Sequence, residues 1–215
     1  MRSIPNLLGL IRIIATPLLL VCILSDTATG YLSAVALLLF MAISDIVDGK
    51  LARRFNVVSP MGVFLDTISD KIFVAGALIP MVQHALLPGW IAFLIIVRDF
   101  AVSGLRSYAA AEGQVIAARE WGKQKLAITV TALIWRLIAA ALIPLSIPIL
   151  QVPANLSGST LLLARVASLW PLPMALALIW TIGSGVDYFW KAWPILRGHW
   201  ASPTVSDPTS RQEAP

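Results

Sequence analysis

The sequence predicts an all-α integral membrane protein: six transmembrane helices with a short N-terminal interfacial segment. Of its 215 residues, 58% are hydrophobic and only 13% are charged, too apolar for an ordinary soluble domain. The apolar residues gather into runs near the ~20 residues that a helix needs to cross a bilayer. Short polar or proline-bearing stretches separate the runs and collect the charges at their ends. One bundle accounts for residues 1–192, read as a single membrane domain, and residues 193–215 are read as a polar, flexible cytoplasmic tail. The net charge of +5 does not point to nucleic acid, because its distribution fits membrane topology and anionic lipid. A lone Cys22 inside an apolar run cannot form an internal disulfide and resembles no metal site.

Residues 1–25 read as a short interfacial segment at the start that leads into the first span. Arg12 interrupts the apolar stretch and no small-residue cleavage site follows it, which argues against a removable signal peptide. Arg12 itself reads equally as a snorkelling anchor or as a site residue. A second span runs from Tyr31 to Arg54, and Pro60 opens a third after a turn. The turn at 84–89 carries His84, which is assigned no role. The fourth span, Trp90 to Ala111, contains Arg98, Asp99 and Arg106. Arg98 and Arg106 are two turns apart and share a face, whereas adjacent Arg98 and Asp99 point apart and are not read as a mutual pair. The loop into the fifth span brings Arg119, Lys123 and Lys125, and mid-span Arg136 is expected to face the interior. A proline-rich loop covers residues 143–160, and a sixth span runs from Leu161 to Trp190, with Gly183 and Gly185 allowing close helix packing.

Basic residues mark the orientation. Arg2, Lys50, Arg53, Arg54, Lys71, Arg106, Arg119, Lys123, Lys125, Lys191 and Arg197 fall on one side, and Arg165 near a helix end on the other. The positive-inside rule puts the first side, with both termini, in the cytoplasm.

The chemistry concentrates on that side. Asp45 and Asp48 lie three residues apart at the end of the second span; Asp66 and Asp70 lie four apart at the start of the third. Each pair therefore shares a helix face. Two helices presenting paired carboxylates to each other form a cage of oxygen ligands suited to a hard cation such as Mg²⁺ or Mn²⁺. Charges beside lipid are costly, so a cation, a proton or a cationic side chain must balance them. Structural pairing with Arg53, Arg54 or Lys71 would account for one or two of the acids, but not for four on two facing stripes.

The full pattern is Asp45-x-x-Asp48-Gly49-x-x-Ala52-Arg53, then Gly62-x-x-x-Asp66-x-x-x-Asp70. It resembles the signature of the CDP-alcohol phosphotransferases, membrane enzymes of phospholipid synthesis, with every fixed position filled. Asn6 and Arg12 near the start, the segment around Arg98 to Arg106, and Gly122-Lys123-x-Lys125 resemble the phosphatidylglycerophosphate synthase branch. The resemblance covers residues 4–130, and departs from that branch at Gly9, Thr67, Asp99 and Leu126.

The resemblance implies transfer of a phosphatidyl group from CDP-diacylglycerol to sn-glycerol 3-phosphate, releasing CMP, with two Mg²⁺ or Mn²⁺ ions. It makes Asp45, Asp48, Asp66 and Asp70 the metal ligands and Asp70 also the general base. Asp48, Gly49, Ala52, Arg53 and Gly62 would line the CDP-donor pocket. Arg106, Lys123 and Lys125, with Arg98, suit the acceptor's phosphate, since Arg grips phosphate oxygens bidentately and Lys adds charge. A homodimer is possible, as in other family members. Rival acceptors are inositol phosphate, or phosphatidylglycerol as in a cardiolipin synthase. A rival of another class is a divalent-cation transporter. Against it, the aspartates cluster at one membrane face and the halves show no inverted repeat.

Overall fold

The computed structural model describes residues 4–54, 60–112, 120–143 and 158–200. Among them the regular elements are all α-helices: α1 (Ile4–Leu24), α2 (Ala28–Arg54), α3 (Pro60–Gln83), α4 (Gly89–Ala111), α5 (Glu120–Leu142), α6 (Gly158–Ser168) and α7 (Pro171–Trp200). The stretches Ala28–Val47, Gln124–Leu142 and Leu161–Pro194 are long and apolar enough to cross a membrane by length and composition. The all-α membrane class read from composition is the class observed.

Three element boundaries differ from expectation. The N-terminal segment and the first span are one unbroken helix, α1, with Pro17 inside it. The sixth span is divided into α6 and α7 at Leu169 and Trp170, whose amides turn back to Val166 and Ala167 at 3.1 Å. Pro171 follows, and a proline both lacks an amide proton and disfavours helical geometry in the residue before it. The tail expected from residue 193 begins as helix, because α7 continues to Trp200. Trp193 stacks on Phe189 at 5.7 Å and lies under the Arg197 guanidinium at 5.4 Å, which continues side-chain packing through that turn. The expected turn at 55–59, the loop at 113–119, most of the proline-rich loop and residues 201–215 lie outside the described residues.

The core is built from Leu19 and Ile23 of α1, Leu38 and Met41 of α2, Phe73 and Leu78 of α3, Ile95 of α4 and Leu133 of α5, all with no exposed surface. Large apolar side chains such as Ile14, Phe40, Phe93, Ile179 and Trp190 point outward, as a lipid-facing surface requires. At the end away from the aspartates, Arg136 is buried as expected. Its Nε donates to the Leu86 carbonyl at 2.5 Å, and its guanidinium lies 4.6 Å from the Trp170 ring. Tyr31 donates to Asp26 beside it, and His84 Nδ1 lies 3.7 Å from the same carboxylate. These contacts tie α5 to the α3–α4 turn and α2 to the turn before it.

One close approach sets how the site is assembled. α1 packs against α3, and a Cβ on Gly76 would lie 2.3 Å from Cγ2 of Thr16. Thr16 is one helical turn beyond Arg12, and Gly76 lies on the same helix as Asp66 and Asp70. The α1–α3 spacing at Gly76 thus decides how near Arg12 comes to the aspartates. Gly76→Val is expected to force the helices apart at a cost of about 1–3 kcal/mol, the usual range for overpacking. A melt of the purified protein in detergent would show this as a lower Tm; an unchanged Tm would mean that the spacing is set elsewhere.

Candidate active site

α2 and α3 deliver the carboxylates. Asp45 comes from the last turns of α2; Asp66 and Asp70, one turn apart, come from one face of α3. One oxygen from each of the three lies within 4.8 Å of the others. Between them sits Arg12 of α1, only 1% exposed. Its Nη1 donates to Asp45 Oδ1 at 2.5 Å and to Asp70 Oδ1 at 2.7 Å, and its Nη2 donates to Asp66 Oδ1 at 3.0 Å. A guanidinium can do this because its donors are fixed in one plane, so a single side chain bridges three acceptors.

Arg12 was the residue that sequence reasoning left between two roles, and the structure removes the snorkelling one. The cationic partners considered for the aspartates were Arg53, Arg54 and Lys71. Arg12 fills the centre, Lys71 lies over the Phe100 ring at 5.7 Å, and the side chains of Arg53 and Arg54 lie outside those described. α2 continues through Asp48, Gly49, Ala52 and Arg53, but their side chains lie outside those described, as does that of Lys123. Gly62 is on α3 one turn before Asp66, as its spacing predicts.

Asp66 and Asp70 also form one wall of a cavity of about 350 Å³. The other walls carry Lys71, Arg98, Arg106 and Lys125, with Thr67, Asp99, Ser103 and Tyr188. Three of the four residues expected at an acceptor phosphate, Arg98, Arg106 and Lys125, are therefore brought together beside the acids. Asp99 holds two of them. Buried Lys125 donates to Asp99 Oδ1, and Arg98 Nη1 reaches the same oxygen at 3.3 Å. This corrects the reading of Arg98 and Asp99 as pointing apart: their long side chains meet although their Cβ atoms diverge.

The sequence places a span over most of α7 but assigns it no part in the site. Ser184 Oγ accepts from Arg98 Nη2 at 2.8 Å, the Tyr188 ring lies 5.9 Å from the Arg98 guanidinium carbon, and Gly185 lies against the Arg98 stem. Gly185 was noticed only as a packing glycine. A serine and a tyrosine one turn apart, flanking it in an apolar span, were the available signal.

The donor chemistry fits a divalent cation. Three hard carboxylate oxygens from two helices lie within 4.8 Å of one another, a donor set of the kind such an ion takes, and in this structure Arg12 balances their charge.

A family model described as CDP-alcohol phosphatidyltransferase matches residues 2–182. The chain belongs to the CDP-alcohol phosphatidyltransferase family. The match passes well beyond residue 130, where motif positions stopped being recognisable, and includes most of α7 before Ser184. This phosphatidyltransferase is similar to the CDP-diacylglycerol–glycerol-3-phosphate 3-phosphatidyltransferase of Bacillus subtilis (strain 168). The two are 32% identical over 209 residues, covering 92% of this chain and 98% of the relative. A probable phosphatidylglycerophosphate synthase of Mycobacterium tuberculosis is 30% identical over 193 residues, covering 88% and 81%. A CMP-forming cardiolipin synthase of Streptomyces coelicolor is 34% identical, but over 100 residues that cover 45% and 46% of the two chains.

Removing Arg12 leaves three converging carboxylates without their shared cation. Breaking a buried charge pair costs roughly 3–5 kcal/mol, and the lower end applies here because Asp66 is 54% exposed and partly solvated. Arg12→Gln in chelator is expected to melt well below the wild type. Equal melting temperatures would show that the acids are balanced by another group.

Proposed function

We propose that the enzyme transfers the phosphatidyl group of CDP-diacylglycerol to sn-glycerol 3-phosphate, giving phosphatidylglycerol phosphate and CMP. One observation carries this reading beyond the family. A single cavity joins Asp66 and Asp70 to Arg98, Arg106, Lys71 and Lys125, so a small anionic alcohol held by the cations lies beside the acids. The names of the relatives from Bacillus subtilis and Mycobacterium tuberculosis support the same acceptor.

In the reaction, the acceptor hydroxyl attacks the phosphatidyl phosphorus. A P–O bond to the acceptor forms, the P–O bond to CMP breaks, and CMP leaves with the bonding electrons. The hydroxyl proton passes to the Asp70 carboxylate, which faces the cavity. Asp45, Asp48, Asp66 and Asp70 would hold two Mg²⁺ or Mn²⁺ ions. When bound, the ions supply charge neutralisation at the pyrophosphate and the departing CMP oxygen. Asp48, Gly49, Ala52, Arg53 and Gly62 form the donor nucleotide pocket, and Arg98, Arg106, Lys123 and Lys125 hold the acceptor phosphate. In the cell, the bundle sits in the inner membrane with the acidic centre and both termini toward the cytoplasm. The basic residues on that side support this orientation.

The test is CMP release from CDP-diacylglycerol with Mg²⁺, with and without sn-glycerol 3-phosphate. Release that requires sn-glycerol 3-phosphate and yields a lipid phosphate is expected. Release only with inositol phosphate or phosphatidylglycerol would move the acceptor, and no release with any alcohol would reopen the ion-transport reading. In the same assay, Asp70→Asn is expected to lower kcat by about 10²–10⁴-fold, the range for losing a general base. Turnover near the wild-type rate would remove Asp70 from that role.

A further inference from the structure

Two arginines inside the bundle beyond the acidic centre, buried Arg136 and half-buried Arg98, are held in different ways. Arg136 is locked, with Nε on a carbonyl and its face on a tryptophan ring, away from the cavity. Arg98 lines the cavity, and what holds it comes from behind. Ser184 fixes one edge: its hydroxyl donates to the Trp180 carbonyl at 2.6 Å, which leaves its oxygen turned to accept from Arg98 Nη2 at 2.8 Å. Gly185 admits the stem, since a Cβ there would stand 3.1 Å from Arg98 Cγ. Tyr188, 5% exposed, lies with its ring 5.9 Å from the guanidinium carbon. Each contact touches the stem, one edge or one flank.

The remaining donors are poorly used. Arg98 Nε is buried on the Gly185 side with no hydrogen-bond partner among the described residues, and Nη1, the donor left for the cavity, has only a 3.3 Å contact to Asp99. That carboxylate is already taken by Lys125. Asp99 is thus shared by two cations, and Arg106 and Lys71 line the same cavity, while the Asp66 and Asp70 carboxylates on its other wall are engaged by Arg12.

We infer that Ser184, Gly185 and Tyr188 form a cradle on α7 that aims Arg98 into the cavity, making it a specificity group for the phosphate of the acceptor. The inference rests on reading the cavity as the acceptor site. It adds that α7, which contributes no signature residue, sets the affinity for a phosphorylated acceptor over an unphosphorylated one. The three α7 residues are positioning residues, since they act through Arg98. An arginine held through Nη2 and along its stem by α7 keeps Nη1 turned toward the cavity side, where Asp99 engages it only at 3.3 Å, which favours an anionic oxygen of the acceptor there.

The experiment measures CMP release by the full-length protein in CDP-diacylglycerol mixed micelles with Mg²⁺, varying sn-glycerol 3-phosphate. Ser184→Ala and Tyr188→Leu are expected to raise KM for sn-glycerol 3-phosphate about tenfold, the scale of one charge-assisted hydrogen bond. KM for CDP-diacylglycerol and kcat should stay within about twofold, since the acids and the donor pocket are untouched. Ser184→Thr, which keeps the hydroxyl, and Tyr188→Phe, which keeps the ring, are expected to behave like the wild type. Unmoved acceptor KM in Ser184→Ala and Tyr188→Leu would overturn the inference while leaving the acceptor site standing. So would an equal loss of kcat and of both specificity constants with a lowered Tm, because that is the signature of packing. A wild type whose CMP release ignores sn-glycerol 3-phosphate would overturn the acceptor reading itself, and the cradle's role with it.

Discussion

Carboxylates gathered where a helical bundle meets lipid repel one another and resist leaving water, so their geometry has to be maintained by positive charge. In this protein the charge comes from the first helix. Arg12 reaches Asp45 on α2 and both Asp66 and Asp70 on α3, so three helices meet at one guanidinium. The α1–α3 approach at Gly76 and Thr16 places it there. A helix that carries no signature aspartate thereby ties the two that do.

From that centre, charge is distributed in a graded way. Asp66 and Asp70 occupy one wall of the cavity, the cations the others, and Asp99 tempers half-buried Arg98 and buried Lys125. A cavity of this kind suits the proposed anionic acceptor. The far end of the bundle carries a separate polar set, Arg136 with Leu86 and Trp170, and Asp26 with Tyr31 and His84. Its donors are directed to carbonyls, rings and neighbouring side chains, and it serves to fasten turns.

The fold class and the acidic centre could be read from the sequence because their signals are local. Apolar run length reports a membrane helix, and spacings of three and four report a shared helix face, as for Asp66 and Asp70. What could not be read depended on which helices are neighbours. Arg12 pairs with residues 33, 54 and 58 positions away, and Arg98 with Ser184 at a distance of 86, and no periodicity encodes such contacts. The break at Leu169 and Trp170 had a local signal in Pro171, but the apolar run continues across it and masked it. Arg98 and Asp99 show the limit of reading faces from Cβ directions alone, since side chains of their length can curl to meet.

The carboxylates that enclose Arg12 are proposed also to hold the divalent cation. Binding of Mn²⁺ to the purified protein, followed by the loss of its free-ion paramagnetic resonance signal, should be saturable in the wild type and weakened by roughly tenfold or more in Asp66→Asn, because affinity follows the ligand charge count. Equal binding by a variant that melts like the wild type would contradict the proposal and place the ion elsewhere.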